Sequence, residues 1–130
     1  MRDGPRLRIL VADDDRDTVI TLTALLGHEG HETRGIDRAL DVEPAVRSFE
    51  PDAVLLDIAM PMKDGYEIAR SLHRELGLAV PLLVAVTAYS RRSDKALAQQ
   101  AGFHHHVGKP YDTEEILAIL ADLIVPARRP

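Results

Sequence analysis

Short apolar runs and amphipathic stretches alternate along the whole chain. Residues 7–12 form a mostly apolar run (Leu7, Ile9, Leu10, Val11, Ala12) that stops at three aspartates, as a buried strand does at a polar rim. From residue 16 to 28, Val19, Leu22, Leu25 and Leu26 recur at helical spacing, with Asp15 placed to cap the start and Gly27 or Gly30 near the stop. Residues 31–36 read as a second strand, and 38–49 as a second helix carrying Leu40, Ala45, Val46 and Phe49 and interrupted by Pro44. A third strand, 52–56, runs into Asp57, followed by a loop with Pro61 and Gly65 and a helix over 66–76. The fourth strand, 82–86, is opened by Pro81 and closed by Thr87. A rather polar helix follows over 93–100 (Ala96, Leu97, Gln100), with Gly102 as its stop. A short fifth strand covers 103–107, and Ile116, Ile119, Leu120, Leu123 and Ile124 form one apolar stripe on a last helix.

Five strands alternating with five helices predict an α/β fold. Parallel neighbours need helix-length, right-handed crossovers, which cover both faces of the sheet. In such doubly wound sheets, ligands bind outside the carboxyl ends of the strands. Composition agrees with one globular domain: 130 residues, 45% hydrophobic and 28% charged, enough to bury a core and unlike a disordered tail. The net charge of −5 argues against a broad nucleic-acid footprint, so direct nucleic-acid binding is not expected. The absence of cysteine excludes disulfides, thiolate metal sites and a cysteine nucleophile, and fits a cytoplasmic chain. No apolar run is long enough for membrane insertion, and residues 1–5 lack the apolar stretch of a signal peptide.

The residues that follow the strands carry the chemistry. The first strand ends at Asp13, Asp14 and Asp15, the third at Asp57 and the fourth at Thr87, while Lys109 follows the fifth. Asp15 and Asp17 are read as helix caps or solvated charges. Asp13, Asp14 and Asp57 in one crevice repel one another unless a cation is present, and hard oxygen ligands point to Mg2+. A lysine and a threonine hydroxyl beside that metal supply the counter-charge and the donor that a phosphoryl group needs. Asp57 is then the nucleophile, able to form an aspartyl phosphate.

Asp13-Asp14, the stretch from Leu55 to Tyr66, Thr87-Ala88 and Lys109-Pro110 together resemble the receiver domain of response regulators in two-component signalling. The resemblance covers residues 6–125, leaving 126–130 as a short tail, because no second hydrophobic pattern follows Ile124. It implies a flavodoxin-like (βα)5 fold with strand order 2-1-3-4-5. It further implies that Asp57 is the phosphoacceptor, that Asp14 binds Mg2+ directly and Asp13 through a water, and that the Ala59 backbone carbonyl is another metal ligand. Lys109 would pair with the phosphoryl oxygens, aimed by a cis bond to Pro110. Thr87 would report phosphorylation, and the small Ala88 would leave room for the phosphate. His106 stands where the family often has a switch aromatic, and Ala59 and Tyr89 occupy positions that tune dephosphorylation in the family.

On this resemblance the chain is a regulatory phosphoacceptor and no enzyme on external substrates, catalysing only its own phosphorylation and dephosphorylation. Its partner would be a sensor histidine kinase or a histidine phosphotransfer protein, and a homodimer could use the face built from the fourth helix, fifth strand and fifth helix. The wording around Val86-Thr87-Ala88-Tyr89 and Gly102-Phe103-His104-His105 is also similar to receivers at the C-terminal end of hybrid sensor kinases. Rival readings are an aspartyl-phosphate phosphatase, a flavodoxin-type binding module and a phosphorylation-independent docking module. The first needs a second acid where Ala59 stands, and the second needs a phosphate-binding loop where the aspartates stand. The run His104-His105-His106 is not expected to bind metal, since neighbouring strand residues point to opposite faces.

Overall fold

A computed structural model describes residues 6–88 and 92–123. Its elements are β1 (Arg8–Ala12), α1 (Arg16–His28), β2 (Glu32–Ile36), α2 (Val42–Phe49), β3 (Ala53–Leu56), α3 (Gly65–Leu76), β4 (Leu82–Thr87), α4 (Arg92–Ala101), β5 (His105–Gly108) and α5 (Thr113–Ala121). The strands form one parallel sheet in the order β2-β1-β3-β4-β5, the topology expected from the sequence.

The period-two alternation of the strands divides the core in two. Leu10, Ala12, Val54, Leu56, Leu83 and Ala85 face α2, α3 and α4, while Ile9, Val11, Leu55, Val84, Val86 and Val107 face α1 and α5. The edge strand β2, with Glu32 and Arg34 exposed, presents charge where a further strand could otherwise add. No helix among the described residues is long and apolar enough to cross a membrane.

The helix and strand ends differ from expectation where side chains replace backbone bonding. Residues 39–41 form a 3-10 turn and α2 begins at Val42, so Pro44 sits in the first helical turn, where its missing N–H costs nothing and no interruption occurs. Leu40 is thereby turned out and is 58% exposed. In α4 the buried positions are Ala98 and Ala101, while Ala96 and Leu97 face solvent. Phe103, expected in the fifth strand, instead closes α4: its N–H donates to Ala98 O at 3.0 Å, and Gly102 takes the left-handed conformation (φ 111°) of a helix stop. His104 then stands in for a ladder residue. Its N–H donates to Leu83 O at 2.8 Å and its ring Nδ1 accepts the Leu83 N–H at 2.9 Å, so β5 begins only at His105. Burial, together with the nearby His73 and His105, holds the His104 pKa below its ordinary value, in keeping with an unprotonated Nδ1. Of the last apolar stripe, Ile116 and Leu120 are buried, Leu123 follows the helix, and Ile124 lies outside the described residues, as do Tyr89 and residues 126–130.

One glycine fixes the turn beyond β3. A Cβ on Gly65 would stand 2.7 Å from the Ile58 backbone Cα, whereas one on Gly27, inside α1, would meet nothing within 4 Å. Gly65→Ala is expected to cost about 1–3 kcal/mol, as forced overpacking does. Gly27→Ala is expected to add about 0.5–1 kcal/mol by removing chain entropy. Urea unfolding midpoints of the two variants check both signs.

Candidate functional site

The parallel register of β1 against β3 brings the acids together. Ala12 lies opposite Leu56, and the Asp57 N–H donates to Ala12 O at 2.9 Å, so Asp13 and Asp57 leave adjacent strands side by side. Both are nearly buried, at 3% and 7% exposed, while Asp14 faces solvent. Each side chain is anchored by the backbone two residues on: Asp15 N–H donates to Asp13 Oδ1 at 2.9 Å, and Ala59 N–H to Asp57 Oδ1 at 3.0 Å. Asp15 caps α1 by accepting from the Asp17 N–H and the Thr18 hydroxyl, and so has the capping role expected of it.

Lys109 supplies the counter-charge. Its N–H donates to Thr87 O at 2.9 Å, which holds the residue at the end of β5, one strand beyond β4. From there the side chain reaches Asp13 Oδ2 at 2.7 Å and Asp57 Oδ2 at 3.0 Å. The peptide bond from Lys109 to Pro110 is cis. Burial, with added repulsion from Asp13, raises the Asp57 pKa against the Ala59 N–H and Lys109, which favour the carboxylate. Burial works against the charge on Lys109, but its bonds to Asp13 and Asp57 outweigh this and raise its pKa.

The donor set fits a divalent cation. Oxygens of Asp13, Asp14 and Asp57 lie within 4.8 Å of one another, and one lysine leaves two of the three carboxylate charges uncompensated. All-oxygen ligands with an exposed member that admits water suit Mg2+ better than softer metals. Asp13, Asp14, Asp57 and Lys109 therefore gather in one place, as the sequence leads one to expect. Thr87 is fully buried as the last residue of β4, and Ala88 is exposed just beyond it. His106 lies opposite Ala85 in the ladder and so on the face shared with Thr87. Both its ring nitrogens are buried and without a hydrogen-bond partner among the described residues. The histidine run does not converge: His104 is engaged with Leu83 while His105 is exposed.

Two features near the site have no periodic signal in the sequence. Lys63 in the loop after β3 pairs with Glu43 of α2 at 3.0 Å, twenty residues away, and Met62 beside it adopts φ 80°. A groove of about 510 Å³ adjoins Asp14, lined by Leu40, Pro61 and Met62 and by Asp37 and Asp41.

The DNA-binding response regulator MtrA of Mycobacterium tuberculosis is 34% identical over 116 residues, which are 89% of this chain and 50% of MtrA. The chain thus spans about half the length of that relative. Protein PilH of Pseudomonas aeruginosa is 31% identical over 110 residues, covering 85% of this chain and 91% of PilH. Among solved structures, the receiver domain of the Saccharomyces cerevisiae response regulator Ssk1, crystallised with the histidine phosphotransfer signaling protein Ypd1, superposes with a TM-score of 0.87. That match has 16% identity and covers 94% of this chain and 91% of the other, so it shows the shared fold. Residues 9–121 match the response regulator receiver domain, whose members accept a phosphoryl group on an aspartate in two-component signalling, and the chain belongs to that family.

Proposed function

We propose that Asp57 takes a phosphoryl group from a phosphohistidine on a sensor histidine kinase or a histidine phosphotransfer protein. The observation that carries this reading is the Lys109 ammonium bridging Asp13 and Asp57 inside a cluster of three carboxylates. A carboxylate oxygen of Asp57 attacks phosphorus, the P–N bond to the donor imidazole breaks, and the nitrogen leaves with the electron pair. Lys109, already in contact with Asp57, lies within reach of the oxygens of the incoming group and offsets their charge. Asp13, Asp14, Asp57 and the Ala59 carbonyl would hold Mg2+, which when bound would supply positive charge to offset that of the phosphoryl oxygens. The Ala59 N–H on Asp57 Oδ1 at 3.0 Å restrains the carboxylate, which lowers the cost of orienting it for attack.

Thr87, His106 and the small Ala88 make up the responding half on this reading. Burying a polar ring atom without a hydrogen-bond partner costs about 1–3 kcal/mol, so a second arrangement that satisfies His106 is within easy energetic reach. Phosphorylation that draws Thr87 toward Asp57 changes the space next to His106 on the same sheet face. The change passes to the surface of α4, β5 and α5. Ssk1, the structural neighbour crystallised with a histidine phosphotransfer protein, supports the choice of donor.

Incubation with Mg2+ and acetyl phosphate should add one phosphoryl group to the intact mass, and neither Asp57→Asn nor a metal-chelated sample should gain it. A gain that persists in Asp57→Asn would place the chemistry elsewhere. The charge balance gives a second expectation. Asp57 binds its proton more tightly in the folded chain than its ordinary value of 3.8 implies, so its ionised form detracts from stability at neutral pH. Asp57→Asn should therefore melt above the unaltered protein at pH 7 without Mg2+. The difference should shrink as pH falls through the raised folded pKa and vanish below the ordinary value. Thermal melts across that range check the sign.

A further inference from the structure

The Lys63–Glu43 ion pair stands outside the acid cluster and plays no part in the chemistry above. Its side chains are 26% and 19% exposed, whereas Arg8–Glu32, Arg16–Asp37 and Arg47–Glu75 have both partners more than a third exposed. Breaking a shielded pair costs more than breaking a surface pair, because removing one partner leaves a charge stranded away from water. Burial opposes the charge on Glu43, yet the Ser71 hydroxyl and Lys63 beside it hold its carboxyl below the ordinary value. Glu43 Oε2 accepts from Lys63 Nζ at 3.0 Å, while Oε1 is buried with no hydrogen-bond partner among the described residues. Lys63 is thus the firm contact of this carboxylate.

The pair joins α2 to a loop whose position matters. That loop leaves β3 at Asp57, bonds Asp57 through the Ala59 N–H, and closes on itself where the Gly65 N–H donates to Ile58 O at 2.9 Å. Its middle carries Met62 at φ 80°, a conformation L residues adopt only when surroundings impose it. Lys63, the next residue, provides an external hold at that point.

We propose that the Lys63–Glu43 pair is a tether that fixes the loop against α2 and so positions the Ala59 backbone for Mg2+ and for Asp57. This inference rests on the functional reading above. Lys63 and Glu43 touch neither metal nor phosphoryl group and are positioning residues. The Arg47–Glu75 pair joins α2 to the far end of α3 and not to the loop, and serves as the comparison.

The test is the Mg2+ dissociation constant by isothermal titration calorimetry on the full chain. It compares the unaltered protein with Lys63→Met, Lys63→Gln, Glu43→Gln, the exchange Glu43→Lys with Lys63→Glu, and Glu75→Gln, each first checked for folding by circular dichroism. Each single change at the tether is expected to weaken Mg2+ binding by about tenfold, the scale for losing an outer support of a metal site. The exchange should recover most of that loss, and Glu75→Gln should bind as the unaltered chain does. The Mg2+ concentration for half-maximal phosphorylation by acetyl phosphate should rise in the same proportion, with little change in rate at saturating Mg2+. Folded tether variants that bind Mg2+ as tightly as the unaltered chain, even if they melt lower, would overturn the inference and leave a purely structural pair. If the unaltered chain gains no phosphoryl group, the functional reading fails, while the affinity comparison still decides the tether.

Discussion

The repulsion among Asp13, Asp14 and Asp57 is the constraint to which the rest of the site answers. Pairing of Ala12 with Leu56 forces two of these carboxylates to leave the sheet side by side, and the core beneath them keeps water away from both. Like charges at this separation raise the free energy of the folded chain, so a stable fold needs compensation built in. Lys109 is that compensation, and it is incomplete, because one ammonium cannot offset three carboxylates. The remaining imbalance is what a divalent cation at the site would offset, and a cation there would in turn favour a phosphoryl group.

The sheet order makes the arrangement possible. β4 lies between the strand that carries Asp57 and the strand that precedes Lys109, so the long lysine arm extends past the end of β4, where Thr87 is buried. A change in the charge of Asp57 is therefore felt by Lys109, whose backbone is bonded to Thr87, and by the sheet face that Thr87 shares with His106. Chemistry at the centre of the sheet is linked to its edge through three neighbouring strands. The loop after β3 supplies the other half of the geometry, and its conformation is imposed from outside by α2.

The fold and the acid cluster are legible in the sequence because both follow from short-range patterns. Apolar runs of strand length ending in Asp13 and Asp57 set the strands and their polar ends together, and the family motifs fix their order. Element ends are less legible in the run 103–107: the Phe103 backbone N–H closes α4, and the His104 ring takes a ladder bond in place of backbone. Pro44 reads as a break only until the first turn of α2 is located. Leu40 and Leu97 look like core residues by type, yet the helix phase turns both outward. The Lys63–Glu43 contact joins positions without shared periodicity, so only the folded packing of α2 against the loop reveals it.

The most direct test of the account is to locate the phosphoryl group after transfer from a phosphorylated histidine phosphotransfer protein. Borohydride reduction converts an aspartyl phosphate to homoserine, which peptide mass spectrometry assigns to a single residue. Homoserine at position 57, formed only with Mg2+ present, is the predicted result. Homoserine at Asp13 or Asp14, or a phosphoryl group retained on a histidine of this chain, would contradict it.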